Sequence, residues 1–206
     1  MAEITRLSIF PLAGAILFPR MQLPLHIFEP RYRALVSDAM ARDRRIGMVQ
    51  PRGAGEPPPL FDVGCVGRIA HVEALDDGRY NIVLEGIANF RIVRELEVTT
   101  PFRQVEAELA PDLPAEPLAL AQRASLETES RRYAEAQGYA VDWNAVSRLD
   151  DESLVNGIAQ IAPFDAAAKQ ALLEAPNLEE RTELIVQLMQ FFGRHTGERD
   201  DPVTLQ

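Results

Sequence analysis

The sequence predicts an α+β protein: a β-rich N-terminal region containing one helix, followed by a C-terminal α-helical bundle. Three observations carry this. Between Ile4 and Leu109 the apolar residues fall in short runs, several alternating with polar ones, broken by Pro and Gly. After three closely spaced prolines, Pro111, Pro114 and Pro117, the apolar period changes from two to about 3.6. The 206 residues, 47% hydrophobic and 25% charged, also suffice to bury a core without disulfide or metal. The expected organisation is a β-rich lobe over 1–110, a linker over 111–117, a bundle over 118–195 and a frayed tail over 196–206.

Each element has a local reason. Ile4 to Phe10 is β-prone and stops at Pro11. Leu23, Leu25 and Ile27 alternate with Pro24, His26 and Phe28, which suits a strand with both faces largely covered, kept at an edge or bulge by Pro24. Pro30 opens a helix whose apolar stripe is Tyr32, Leu35, Val36, Ala39 and Met40. Ile46 to Val49 resumes a strand, and Arg52 to Pro59 reads as an exposed loop. Asp77-Gly78 lies between two apolar runs and marks a hairpin turn. Beyond it Tyr80, Ile82 and Leu84 share a face, and Gly86 marks a bulge.

In the second half, Leu118 to Gln137 is free of Gly and Pro and ends at Gly138, a natural C-cap. Shorter helices follow over Ser153 to Ile161 and Ala166 to Ala175, separated by Pro163. Asn177 with Glu180 resembles a capping box and opens a last helix, expected to end at Gly193 with Phe191 and Phe192 in the bundle core.

Charge narrows the function. The net charge is −10, and it is lopsided: 13 Arg against 14 acidic residues up to Ala110, then 8 basic against 17 acidic residues. Nucleic-acid binding needs a positive footprint, and only Arg42, Arg44 and Arg45 cluster. The start shows no signal-peptide pattern, and no run approaches the ~18 apolar residues of a membrane span. Together with a single cysteine, Cys65, this leads to the expectation of a cytoplasmic protein without a membrane partner.

Catalytic and cofactor motifs are missing from the sequence. The only lysine, Lys169, lies in a helical stretch, so there is no Walker-type phosphate loop, and no G-x-S-x-G elbow exists. His26, His71 and His195 are too scattered for a metal-ligand pattern, and Cys65 has no neighbouring Lys or His to activate it. Gly64 and Gly67 fit close strand packing better than a phosphate cradle. The residues call for no catalytic site, no cofactor and no metal.

Two stretches are more specific. One runs through Phe10-Pro11-Leu12, Leu17-Phe18-Pro19 and Pro24-Leu25-His26-Ile27-Phe28-Glu29-Pro30-Arg31-Tyr32. The other holds Asp62 to Ile69, Asp77 to Ile82 and Gly86 to Arg91. In this order they resemble the N-terminal, substrate-binding domain of the ATP-dependent Lon protease family, over essentially the whole chain. That resemblance implies a PUA-like pseudo-barrel of mostly antiparallel strands followed by a helical bundle. It also implies a stand-alone, non-catalytic module that lacks the ATPase and Ser-Lys protease parts and recognises polypeptide, in particular unfolded or exposed hydrophobic segments. RNA binding through the PUA-like lobe is the alternative. The expected peptide-binding surface comprises Leu17, Phe18, Pro24, His26 and Phe28, with Leu17 and Phe18 expected as exposed apolar surface in a loop.

Overall fold

The computed structural model describes residues 4–111 and 116–195, with side chains described to Gly193. The central part of the expected linker and the tail, 112–115 and 196–206, lie outside the described residues. Six strands are formed: β1 (Ile4–Pro11), β2 (Gln22–Ile27), β3 (Arg45–Val49), β4 (Val63–Ala74), β5 (Tyr80–Glu95) and β6 (Gln104–Leu109). The helices are α1 (Pro30–Met40), α2 (Leu120–Ala136), α3 (Trp143–Val146), α4 (Asp151–Ile161), α5 (Ala166–Glu174) and α6 (Leu178–His195). The architecture is α+β.

The strands form one sheet in the order β2-β5-β4-β3-β1-β6, and β6 pairs again with β5. Strands β5, β4, β3, β1 and β6 therefore close on themselves. The length of β5 makes this possible. Its first residues, Tyr80 to Glu85, hold β2, while Phe90 to Glu95 hold β6 along the same edge. Pairing is antiparallel except between β1 and β3, which are joined through β2 and α1. Leu7, Ile9, Val66, Phe90, Val105 and Ala107 fill the enclosed core.

Strand β2 pairs only with β5, as its proline demands. One of its faces is open, however: Pro24 and His26 are exposed and Phe28 beyond it is 61% exposed, so the expectation of two covered faces does not hold. The apolar sides of Leu23, Leu25 and Ile27 alone point inward, the usual pattern of an antiparallel edge.

At Gly86 two chain segments touch. Gly86 exchanges backbone hydrogen bonds with Arg20 and Met21, and a Cβ there would collide with the carbonyl oxygen of Phe18. The register between β4 and β5 shifts at this point, the bulge expected from the glycine. Gly64 and Gly67 likewise admit the Phe90 ring and Leu17 respectively, so both serve packing. The Leu75–Arg79 hairpin closes with Gly78 N–H donating to Leu75 O and Leu75 N–H donating to Arg79 O; Gly78 sits at φ 78°, a type I turn with a glycine bulge.

The chain folds as two compact units, Met1–Pro114 with Asp165–Glu174, and Ala115–Phe164 with Ala175–Gln206. Helix α5, which the sequence places among the bundle helices, thus belongs with the β-rich unit. Gln50 Nε2 donates to Ala166 O and Gln170 Oε1, Gln170 Nε2 donates to Val63 O, and Asn89 Nδ2 donates to Leu173 O. Leu172 and Leu173 are buried beside these bonds. The apolar stripe of α5 is that of any bundle helix; the buried amides of Gln50 and Gln170 direct it to the strands.

In the second unit α2 and α4 pack on α6. Glu180 N–H donates to Asn177 Oδ1 and Asn177 Nδ2 donates to Glu180 Oε1, the expected box at the start of α6. The helix runs through Gly193 to His195 rather than stopping at the glycine. Phe192 is half-buried and stacks with Phe164, but Phe191 is 57% exposed, so the pair is not in the core as expected.

Candidate functional site

An open apolar cavity of about 550 Å³ lies wholly within the second unit. Its floor is Tyr133 and Ala134 of α2, Leu154 and Gly157 of α4, and Met189 of α6. Ser130, also in the lining, donates from Oγ to Met189 Sδ at 3.7 Å. Burial raises the pKa of the Tyr133 phenol above its ordinary value.

The roof is the segment between α2 and α4, and its course follows from the sequence. Helix α2 ends in a Schellman motif: Gly138 at φ 72° donates its N–H to Glu135 O, and Tyr139 N–H donates to Ala134 O. That reversal swings Tyr139 and Val141 over the cavity. Asp142 then caps α3, its Oδ1 accepting from the N–H groups of Asn144 and Ala145 at 3.0 and 3.1 Å. Trp143 and Val146, three residues apart on this single turn, both line the cavity, as does Leu149. No residue of α3 is buried. A strap of five large apolar side chains thus covers the space without filling it.

Two arginines hold the strap. The Arg131 guanidinium stacks over the Trp143 ring at 4.5 Å. Arg123 donates from Nη2 to Leu149 O at 2.9 Å and from Nη1 to Asp151 Oδ1 at 2.6 Å, joining α2 to the end of the strap and the start of α4. Pro163 terminates α4 and forms the far lip with Ile161, which is 79% exposed. Tyr139 and Leu149, 51% and 42% exposed, form the near lip.

The residues singled out from the sequence lie elsewhere. Leu17 and Phe18 are fully buried, at 0% exposure, which corrects the expectation that they form apolar surface. The Arg20–Gly86 and Gly86–Met21 bonds fold this loop onto β5, and Leu17 fills the space that Gly67 leaves. Pro24, His26 and Phe28 do share an exposed strip. There His26 Nδ1 lies 2.7 Å from Asn81 Oδ1, its Nε2 lies 3.2 Å from Arg79 Nη1, and its ring stacks near Phe28 at 6.2 Å. Pro24 lacks the backbone N–H that an added strand would use at this edge. Of the arginine cluster, Arg42 pairs with Asp38 at 3.0 Å and Arg45 with Asp43 at 4.0 Å. These residues lie past the end of α1 rather than in its last turn. Among the described residues no group of His, Cys, Asp and Glu could hold a metal ion, and no helix is long and apolar enough to cross a membrane.

The cavity is not among the features expected from the sequence, although its signal is there. Tyr139, Val141, Trp143, Val146 and Leu149 put large apolar side chains in a segment too short to bury them.

The chain thus combines a β-rich barrel with a helical unit that bears an apolar groove, an α+β architecture shared with known proteins. The chain belongs to the ATP-dependent protease La (LON) substrate-binding domain family, whose model matches residues 6–190. It is 28% identical over 193 residues to Lon protease 2 of Myxococcus xanthus, covering 89% of this chain and 23% of that protein. It is 26% identical over 213 residues to Lon protease 2 of Bdellovibrio bacteriovorus, covering 95% of this chain and 26% of that protein. The chain thus spans about a quarter of the length of these relatives. The fold is that of a Lon N-terminal domain protein from Xanthomonas campestris, at a TM-score of 0.69 and 21% identity over 91% of this chain and 99% of that one. The N-terminal domain of a Mycobacterium avium complex Lon protease matches at 0.71 and 18% identity, over 90% and 98% of the two chains.

Proposed function

We propose that this protein is a non-catalytic module that binds polypeptide, taking unfolded or exposed hydrophobic segments into the groove of the second unit. The observation that carries this reading is the strap: five large apolar side chains arranged over a cavity of about 550 Å³ that they do not fill. A cavity of that size falls within the roughly 300–1,000 Å³ of ordinary ligand sites. It accepts two or three apolar side chains of a peptide, whose backbone remains hydrated at the open mouth. Binding then draws on burial of apolar area, about 25 cal/mol per Å², and is tolerant of sequence. Membership of a substrate-binding family supports the same assignment. Pro24, His26 and Phe28 do not line this cavity, and pairing of Arg42 and Arg45 with carboxylates weakens the RNA alternative.

Trp143 is the only tryptophan and lines the groove, so the protein carries its own reporter. Titration with a reduced, Trp-free unfolded protein is expected to shift Trp143 emission, and the native form of the same protein is expected to leave it unchanged. An unchanged emission, together with no heat of binding by calorimetry, rejects the proposal.

A further inference from the structure

We infer that the groove selects apolar segments flanked by Lys or Arg over the same segments flanked by Asp or Glu; this rests on the polypeptide-binding reading above and adds a charge preference to it. The apolar walls cannot discriminate among peptide flanks, so the charges around the mouth must. In the groove-forming stretch between α2 and α4, residues 129–152, the carboxylates are Glu129, Glu135, Asp142, Asp150, Asp151 and Glu152. They outnumber the guanidinium groups of Arg131, Arg132 and Arg148 two to one. Arg132 pairs with Glu129 at 3.8 Å and Arg123 of α2 with Asp151 at 2.6 Å, so these charges offset one another, while Arg131 lies over the Trp143 ring; Glu135, Asp142 and Asp150 are left as the surplus.

Three of the carboxylates adjoin lining positions and are exposed. Glu135 follows Ala134, Asp142 sits between Val141 and Trp143, and Asp150 follows Leu149. Two of these are fixed rather than mobile. Asp142 accepts from the backbone at the start of α3, and Asp150 accepts from Ser153 N–H at 2.9 Å at the start of α4. The Asp150 carboxyl is held below its ordinary range by its hydrogen bonds with Ser153. Fixed negative charges beside an apolar, low-dielectric wall focus the field outward from the mouth. A peptide cation gains from that field and a peptide carboxylate is repelled by it.

Three Trp-free peptides test this, each with a Leu-Phe-Leu-Leu centre and two Lys, two Gln or two Glu at either end. They are titrated into the full chain with Trp143 emission as readout. At low salt the Lys peptide is expected to bind about tenfold more tightly than the Glu peptide, with the Gln peptide between them. The gap is expected to close at about 0.5 M salt, where exposed charges are screened within a few ångströms. The triple variant Glu135→Gln, Asp142→Asn and Asp150→Asn keeps both helix caps, since Asn caps as well as Asp, and is expected to bring the three peptides within about twofold of one another. Equal affinity of the three peptides for the unaltered chain overturns the charge preference and leaves the polypeptide-binding reading intact. A preference that survives in the triple variant overturns its assignment to these carboxylates. Binding of none of the three overturns both readings.

Discussion

The guanidinium of Arg131 lies 4.5 Å from the centre of the Trp143 ring, so the charged face of α2 holds the one-turn helix α3 by its only tryptophan. Exposed contacts of this kind contribute about 0.5–1 kcal/mol. Because α3 has no buried residue, even that small contribution matters to where the strap rests. Arg131→Ala is expected to alter Trp143 emission and its quenching by iodide while shifting the melting temperature by no more than about 4 °C. An unaltered spectrum would show that the stacking does not hold the strap.

The Phe18 carbonyl oxygen abuts the Cα of Gly86. Phe18→Ala empties a fully buried aromatic site and is expected to cost about 3–5 kcal/mol by denaturant titration. Gly86→Ala directs a methyl group at the Phe18 carbonyl oxygen and is expected to be destabilising by about 2–4 kcal/mol. Peptide affinity of whatever folded protein remains is expected to be unchanged, because neither residue lines the groove. Selective loss of binding with full stability would return Phe18 to the binding surface.

Gly193 offers the opposite sign. It is helical in α6, and the nearest atom to an added Cβ is Tyr133 Cδ2 at 3.8 Å, an ordinary contact. Gly193→Ala is expected to raise stability by about 0.5–1 kcal/mol through helix propensity. Thermal melting of the two proteins checks this.

Asp150 links stability to pH. Its carboxylate accepts from the backbone N–H and the hydroxyl of Ser153, which lowers its folded pKa. A depressed carboxylate pKa contributes stability that is present above the ordinary carboxylate range and is lost as pH falls through the folded value. Asp150→Ala is expected to cost about 1 kcal/mol at neutral pH as a lost cap. Asp150→Asn is expected to cost little at neutral pH and to reduce the fall in stability below about pH 4, the ordinary Asp value, measured by urea titration across the acid range. An identical acid dependence in the two proteins would remove Asp150 from the account.

Helix α5 makes a prediction about cleavage. It lies in sequence between α4 and α6 but is bound to the strands through Gln50, Gln170 and Asn89. A protease site inserted between Pro111 and Pro117 is therefore expected to give two fragments that co-elute on gel filtration. Gln170→Ala removes the donor to Val63 O and the acceptor for Gln50, at about 1–3 kcal/mol, and is expected to let the cut fragments separate. Separation without the substitution would show that α5 does not hold its place alone.

Period, punctuation and capping are local, and the sequence by itself was enough for them. The strand at Ile4, the helix opened by Pro30, the Gly78 turn, the Gly86 bulge and the Asn177 cap all depend on backbone geometry within a few residues. Position in space is not local, and tertiary structure alone decided it. Leu17 and Phe18 look the same in a sequence whether a loop stands open or folds onto β5; the glycine at 86, far along the chain, admits the backbone that buries them. Helix α5 carries the apolar stripe of a bundle helix, yet buried amide groups on Gln50 and Asn89 draw it to the strands. Trp143 and its neighbours line a groove because a Schellman turn at Gly138 reverses the chain there and the floor comes from three separate helices. A cavity is the space between elements, and its shape exists only once they have packed.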